Sequence, residues 1–85
     1  MFIIQWLPKA VRQFKKIKDP HIRTTIAFKV NTLENFPHCG DIKMLKNHTI
    51  DYRLRVGRYR ILFKVSSTIK IIHIAEVAKR DDQTY

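Results

Sequence analysis

Acidic residues, cysteine and glycine are all scarce in this chain, and each shortage excludes something. Only 7 of its 85 residues are Asp or Glu, against 17 Lys or Arg. There is one cysteine, Cys39, so no internal disulfide can form, which suits a reducing, cytoplasmic location. Two glycines and three prolines leave no room for a flexible linker or a low-complexity segment, and no repeat is present. No stretch approaches the ~20 apolar residues that a membrane span needs. The first residues, Met1-Phe2-Ile3-Ile4-Gln5-Trp6, have no basic leader and do not read as a signal peptide. No membrane association is expected.

What remains is a strongly basic domain with enough apolar residues for one core. A chain this short buries only ~60% of its unfolded surface, so one domain over 1–85 is expected. The net charge of +10 raises the local concentration of polyanions and speeds encounter with them. RNA, DNA, the ribosome or an acidic protein all fit that charge, which by itself implies no catalysis.

Phe2 to Trp6 is rich in β-branched and aromatic residues and reads as a first strand. Pro8 suits the first turn of a helix. Leu7, Ala10, Val11, Phe14 and Ile17 then recur at helical spacing. Lys9, Arg12, Lys15, Lys16 and Lys18 occupy the other side. Asp19-Pro20 restarts the chain as N-cap and first helical residue. Ile22, Ile26, Ala27, Val30 and Leu33 mark a second helix that Pro37 stops. So short a junction predicts a two-helix hairpin.

Beyond Cys39 the period changes to two. Ile42 to Leu45 reads as a short strand or an irregular crossing. Tyr52, Leu54 and Val56 alternate with Arg53 and Arg55. Tyr59, Ile61, Phe63 and Val65 alternate with Arg60, Leu62 and Lys64. Gly57-Arg58 between them reads as a two-residue hairpin loop with glycine first. Ser66 to Thr68 reads as a turn. Ile69 to Val77, apolar on both faces, reads as a strand paired on both edges or covered on both sides. The expected fold is α+β: an N-terminal strand, a two-helix hairpin, then a twisted antiparallel sheet of three to four strands.

That hairpin fixes a register. Arg55 faces Arg60, Leu54 faces Ile61, and Arg53 faces Leu62. Arg53, Arg55, Arg60 and Lys64 then share the face away from the helices. Like charges directly across a sheet are destabilising. Four cations on one face exceed what solubility requires, and the planar arginine fork matches phosphate oxygens. The face therefore reads as a phosphate-binding surface.

The run Tyr52-Arg53-Leu54-Arg55-Val56-Gly57-Arg58-Tyr59-Arg60-Ile61-Leu62-Phe63, preceded by Pro37, Gly40-Asp41 and Leu45-Lys46, resembles the RelE/ParE toxin superfamily, and more closely its RelE branch. Trp6-Leu7-Pro8-Lys9-Ala10 leading into Phe14-Lys15-Lys16-Ile17, and the closing Lys79-Arg80-Asp81-Asp82-Gln83-Thr84-Tyr85, extend the resemblance along nearly the whole chain. It implies the toxin of a type II toxin–antitoxin system. On the RelE side that is a ribosome-dependent endoribonuclease acting on mRNA in the A site of the small subunit. The RNA 2′-hydroxyl attacks the adjacent phosphate, leaving a 2′,3′-cyclic phosphate and a 5′-hydroxyl. No metal or cofactor is implied. The alternatives are a ParE-like toxin that acts on DNA gyrase without nuclease activity, or a degenerate toxin that retains only antitoxin binding.

By the same resemblance, Arg53, Arg55, Arg60, Arg80 and Tyr85 are the candidate catalytic residues. Arg60 would stabilise a phosphorane-like transition state. Arg80 would donate a proton or bind phosphate, and Tyr85 would stack on or orient a nucleotide. Arginine is a poor general base, because its guanidinium stays protonated, so the arginines act through charge and positioning. Lys46, Arg58, Lys64, Lys79, Lys9, Arg12, Lys15 and Lys16 are candidates for gripping RNA or the ribosome. The implied partners are the ribosome with its mRNA and an acidic cognate antitoxin, through which alone DNA would be reached. The four histidines show no metal-ligand spacing with Cys39. His73 reads as a packed strand residue and His48 as a loop residue near the basic face. Glu76 reads as a structural partner for a neighbouring arginine.

Overall fold

The computed structural model describes residues 1–45 and 50–79. Strand β1 (Ile3–Trp6) leads into helices α1 (Pro8–Lys15) and α2 (Pro20–Asn31). A 3-10 turn (Thr32–Asn35) follows, then strands β2 (Ile42–Met44), β3 (Tyr52–Val56), β4 (Tyr59–Ser66) and β5 (Ile71–Lys79). The sheet order is β1-β5-β4-β3-β2. The three pairings from β5 to β2 are antiparallel, as expected, and β1 makes the sheet five-stranded and mixed by pairing parallel to β5, with Ile3 beside Ile71 and Trp6 beside Ile74.

Local chemistry sets the helix boundaries. Pro8 and Pro20 each sit in a first turn, where a missing N–H costs nothing. The Asp19 carboxylate accepts from the His21 N–H at 2.9 Å, capping α2. An Arg23 guanidinium N–H donates to the Ile17 carbonyl and ties the junction between the helices. The α-helix stops at Asn31, earlier than Pro37 suggests; the 3-10 turn then delivers Leu33 fully into the core.

Both helices pack on one face of the sheet, α1 against β5 and α2 against β3. Leu54, Ile61, Phe63, Ile72 and Ile74 meet Ala10, Ile26, Val30 and Leu33 there, all at 0% exposure. Phe36 closes the open end of this core. Its ring stands edge-on to Tyr52, Phe2 and Phe63, with centroids at 5.1, 5.8 and 5.9 Å.

Two features place the site. β1 ends opposite Ile74, so the rest of β5 would present a bare edge. Helix α1 covers it: the Leu7 N–H donates to the Ile74 carbonyl at 2.9 Å, and Gln13 Oε1 accepts from the Val77 N–H at 2.8 Å. Ala75 is an extra residue in β5, a bulge between the Phe63–Ile74 and Leu62–Glu76 pairs. It keeps Ile72, Ile74 and Val77 on the core side and turns His73, Glu76 and Ala78 to the other. The final turn spans 67–70 rather than starting at Ser66, because Lys70 adopts a left-handed φ of 59° and delays β5 to Ile71.

Candidate functional site: a basic sheet face

The β3–β4 hairpin has the register its sequence implies. Arg55 faces Arg60, Arg53 faces Leu62, and Val56 faces Tyr59. Gly57 has a φ of 57° and Arg58 does not take a positive φ, the pattern of a loop that requires glycine at its first central position. Alternation then puts Arg53, Arg55, Arg60 and Lys64 on the face opposite the helices. Lys43 joins them, since β2 sets it directly across from Arg53. Lys43, Arg55, Arg60 and Lys64 are exposed.

Arg53 departs from the expected surface role. It is 9% exposed, and one terminal nitrogen lies 3.3 Å from the Asp41 carbonyl and 3.5 Å from Asp41 Oδ1. Asp41 Oδ2 lies 3.8 Å from Arg55 Nε, and the Arg55 N–H donates to the Asp41 carbonyl at 3.0 Å. One carboxylate thus stands between two arginines. The physical reason is the loop before β2: Gly40, at a φ of 53°, turns the chain so that Asp41 lies beside Arg55, near the end of β3. Sequence alternation assigns a face but cannot see that a distant loop covers part of it.

The other expected binding residues divide by location. Lys9, Arg12, Lys15 and Lys16 are exposed on α1 or at its end. Lys9 reaches Glu76 at 3.6 Å, so the basic side of α1 borders the open sheet face. Glu76 therefore has a lysine partner rather than an arginine. Arg58 and Lys79 do not join Arg55 and Arg60. With Tyr59, His21, Ile22 and Thr25 they line a groove of about 360 Å³ between α2 and the hairpin, on the helix side. Lys46, His48, Arg80 and Tyr85 lie outside the described residues. His73 is half-buried on the open face, in register with Lys64 on one side and Gln5 on the other. Among the described residues, no group of three His, Cys, Asp or Glu could hold a metal ion. No helix there is long and apolar enough to cross a membrane.

Residues 4–84 match the family model described as the ParE toxin of the type II toxin–antitoxin system, parDE. The chain belongs to the ParE toxin family. No curated protein sequence matches it. Solved structures share the toxin's fold. The isolated E. coli RelE toxin superposes with a TM-score of 0.81 at 14% identity, over 99% of this chain and 89% of that one. RelE in the RelB–RelE antitoxin–toxin complex from Methanococcus jannaschii gives 0.70 at 26% identity, over 88% of each chain. YoeB from Staphylococcus aureus, solved as a dimer, gives 0.71 at 22%, over 94% of this chain and 97% of that one.

Two residues of the toxin's basic face went unread in its sequence. Lys43 lies in a three-residue strand with little period to read, and the β2–β3 register alone brings it beside Arg53. Asp41 was visible only as one position of the Gly40-Asp41 motif. Its place between two arginines depends on the loop fold.

Proposed function

We propose that this toxin stops translation by cleaving mRNA in the ribosomal A site. The observation that carries the reading is Arg55 directly across the hairpin from Arg60, on an exposed sheet face that also holds Lys43 and Lys64. Such a like-charge pair disfavours the free fold, and a phosphate group bound between the two strands relieves it. In this mechanism the RNA 2′-hydroxyl attacks the neighbouring phosphate. Arg60 and Arg55 stabilise the extra negative charge of the phosphorane as it forms. Arg80 and Tyr85 are proposed as proton donor and nucleotide-stacking group. Arg53 is assigned a supporting role beneath them. The A site supplies the RNA geometry, so that positioning and charge provide most of the effect.

An acidic antitoxin is the proposed partner. The charge of +10 calls for a polyanionic protein to silence it, and the RelE of M. jannaschii was solved with RelB. A second reading, inhibition of DNA gyrase, is favoured by the match to a family model named for ParE and by the carboxylate that already offsets one arginine of the pair.

Pulse labelling after induced expression separates the two. Early collapse of amino-acid incorporation, with mRNA ends mapping to A-site codons, is the expected result. Earlier collapse of thymidine incorporation would select the gyrase reading instead.

A further inference from the structure

We propose that Asp41 is a positioning residue of the basic face, one that sets how Arg55 meets phosphate and lowers the charge the face presents. The cleavage part of this inference rests on the nuclease reading above; the binding part does not.

The geometry is asymmetric. Asp41 Oδ1 faces a terminal nitrogen of Arg53, whereas Asp41 Oδ2 faces the inner nitrogen, Nε, of Arg55. Arg53 is almost wholly buried, and that same terminal nitrogen also reaches the Asp41 carbonyl. Arg53 therefore acts as a strut beneath the loop. Arg55 is half-exposed, and Asp41 approaches it along its inner edge. Its two terminal nitrogens have no hydrogen-bond or ion-pair partner among the described residues. They form the end of the guanidinium that grips a phosphate with two parallel bonds.

The carboxylate is not placed by side-chain attraction alone. The Asp41 carbonyl accepts from the Arg55 N–H at 3.0 Å, fixing the backbone of one residue against the other. Gly40 holds the preceding turn at a φ of 53°, with Leu54 Cδ1 only 3.1 Å from where a Cβ would stand. Loop and strand are thus locked together on either side of the ion pair. The carboxylate is 55% exposed, so its attraction to Arg55 is weak and partly screened. A weak tether orients without sequestering: a phosphate can add to the outer edge of Arg55 while Asp41 keeps the inner edge.

Two opposite effects follow from removing the charge. Without it, Arg53 and Arg55 act as two unopposed cations, so any single-stranded polyanion binds more tightly. Without the tether, Arg55 loses its fixed presentation, so a step that depends on its placement slows. Tighter binding with slower cleavage is a combination that general destabilisation does not produce.

The test uses the full-length protein, a fluorescein-labelled single-stranded RNA oligonucleotide for binding, and ribosomes programmed with mRNA for single-turnover cleavage. Asp41→Asn should tighten oligonucleotide binding and steepen its salt dependence by up to ~0.7 in slope, the value for one more phosphate contact on a single strand. It should slow cleavage at least ~10-fold, within the range that misplacing a positioned group produces. In an Arg55→Ala background, Asp41→Asn should slow cleavage no further, and its gain in binding should shrink to the part that Arg53 and the rest of the face supply. Equal effects with and without Arg55 would overturn the proposal. So would a parallel loss of binding and cleavage that tracks a fall in melting temperature. Arg55→Lys keeps the charge but lacks Nε, and leaves Asp41 untouched in case Asp41→Asn fails to fold. It should cleave slowly, and wild-type cleavage by it would likewise overturn the proposal. If the wild type cleaves nothing on ribosomes, the nuclease reading fails, and the binding comparison between Asp41→Asn and Arg55→Ala still decides the role of Asp41.

Discussion

Arg55 and Arg60 are direct cross-strand neighbours, two cations side by side on an exposed face of a hairpin. A pair selected for stability alone would carry opposite charges or an aromatic and a β-branched residue.

Replacing Arg60 by Ala should therefore leave the fold as stable as before, or raise it by up to about 0.5 kcal/mol. Urea denaturation checks that. The same change should abolish toxicity while antitoxin binding persists, which co-purification reads directly. A clear loss of stability would make Arg60 structural and remove it from the site.

Arg53 should behave otherwise. Because it is buried beneath the Asp41 loop, Arg53→Met should lower RNA affinity much less than Arg55→Ala does. Its effect on stability should stay within about 1.5 kcal/mol, since a well-packed apolar chain can replace a buried ionic one. The RNA comparison is a fluorescence anisotropy titration at fixed salt, and equal losses from the two changes would return Arg53 to the binding surface.

Gln13 takes the place of a missing strand at the edge of β5. Gln13→Ala leaves the Val77 N–H without its acceptor, at a residue only 5% exposed, and should cost about 1–3 kcal/mol. Hydrogen exchange at the Val77 amide should accelerate in the variant. Unchanged protection would mean that water or another group fills the position.

The two glycines should respond differently to alanine. Gly57→Ala places its Cβ in open space, so only the left-handed backbone opposes it, at about 1–2 kcal/mol. Gly40→Ala carries the same backbone cost and also presses a methyl group to 3.1 Å from Leu54 Cδ1. Thermal melts should rank Gly40→Ala as the less stable. A reversed order would show that Leu54 yields more easily than the hairpin loop.

Burial pushes the Cys39 thiol above its ordinary pKa by disfavouring the thiolate. At a given pH the folded protein should thus react with iodoacetamide more slowly than a small free thiol, and urea should remove the difference. Above the ordinary thiol pKa the unfolded chain releases this proton first, so the Cys39 contribution to stability declines as pH rises through that range.

The hairpin was legible in advance because every part of it is local. Gly57 sets the loop, a period of two sets the faces, and the loop length sets the register, so Arg55 opposite Arg60 needs no tertiary information. The Asp19 cap and the two helix-starting prolines are local in the same sense. The family resemblance spans Trp6 to Tyr85 for a related reason: its motifs are runs of adjacent residues. The remainder depends on contacts across long stretches of chain. Parallel pairing of β1 with β5 joins the two ends of the fold, and no sequence period encodes which edge a lone strand will take. The Ala75 bulge answers to packing against β4, and the groove containing Arg58 and Lys79 exists only where α2 meets the hairpin. The charge of the face divides along the same line. Its arginines are in the sequence, but their effective charge depends on where Asp41 comes to rest, because Coulomb attraction depends on distance and solvent exposure, which chain order alone does not supply.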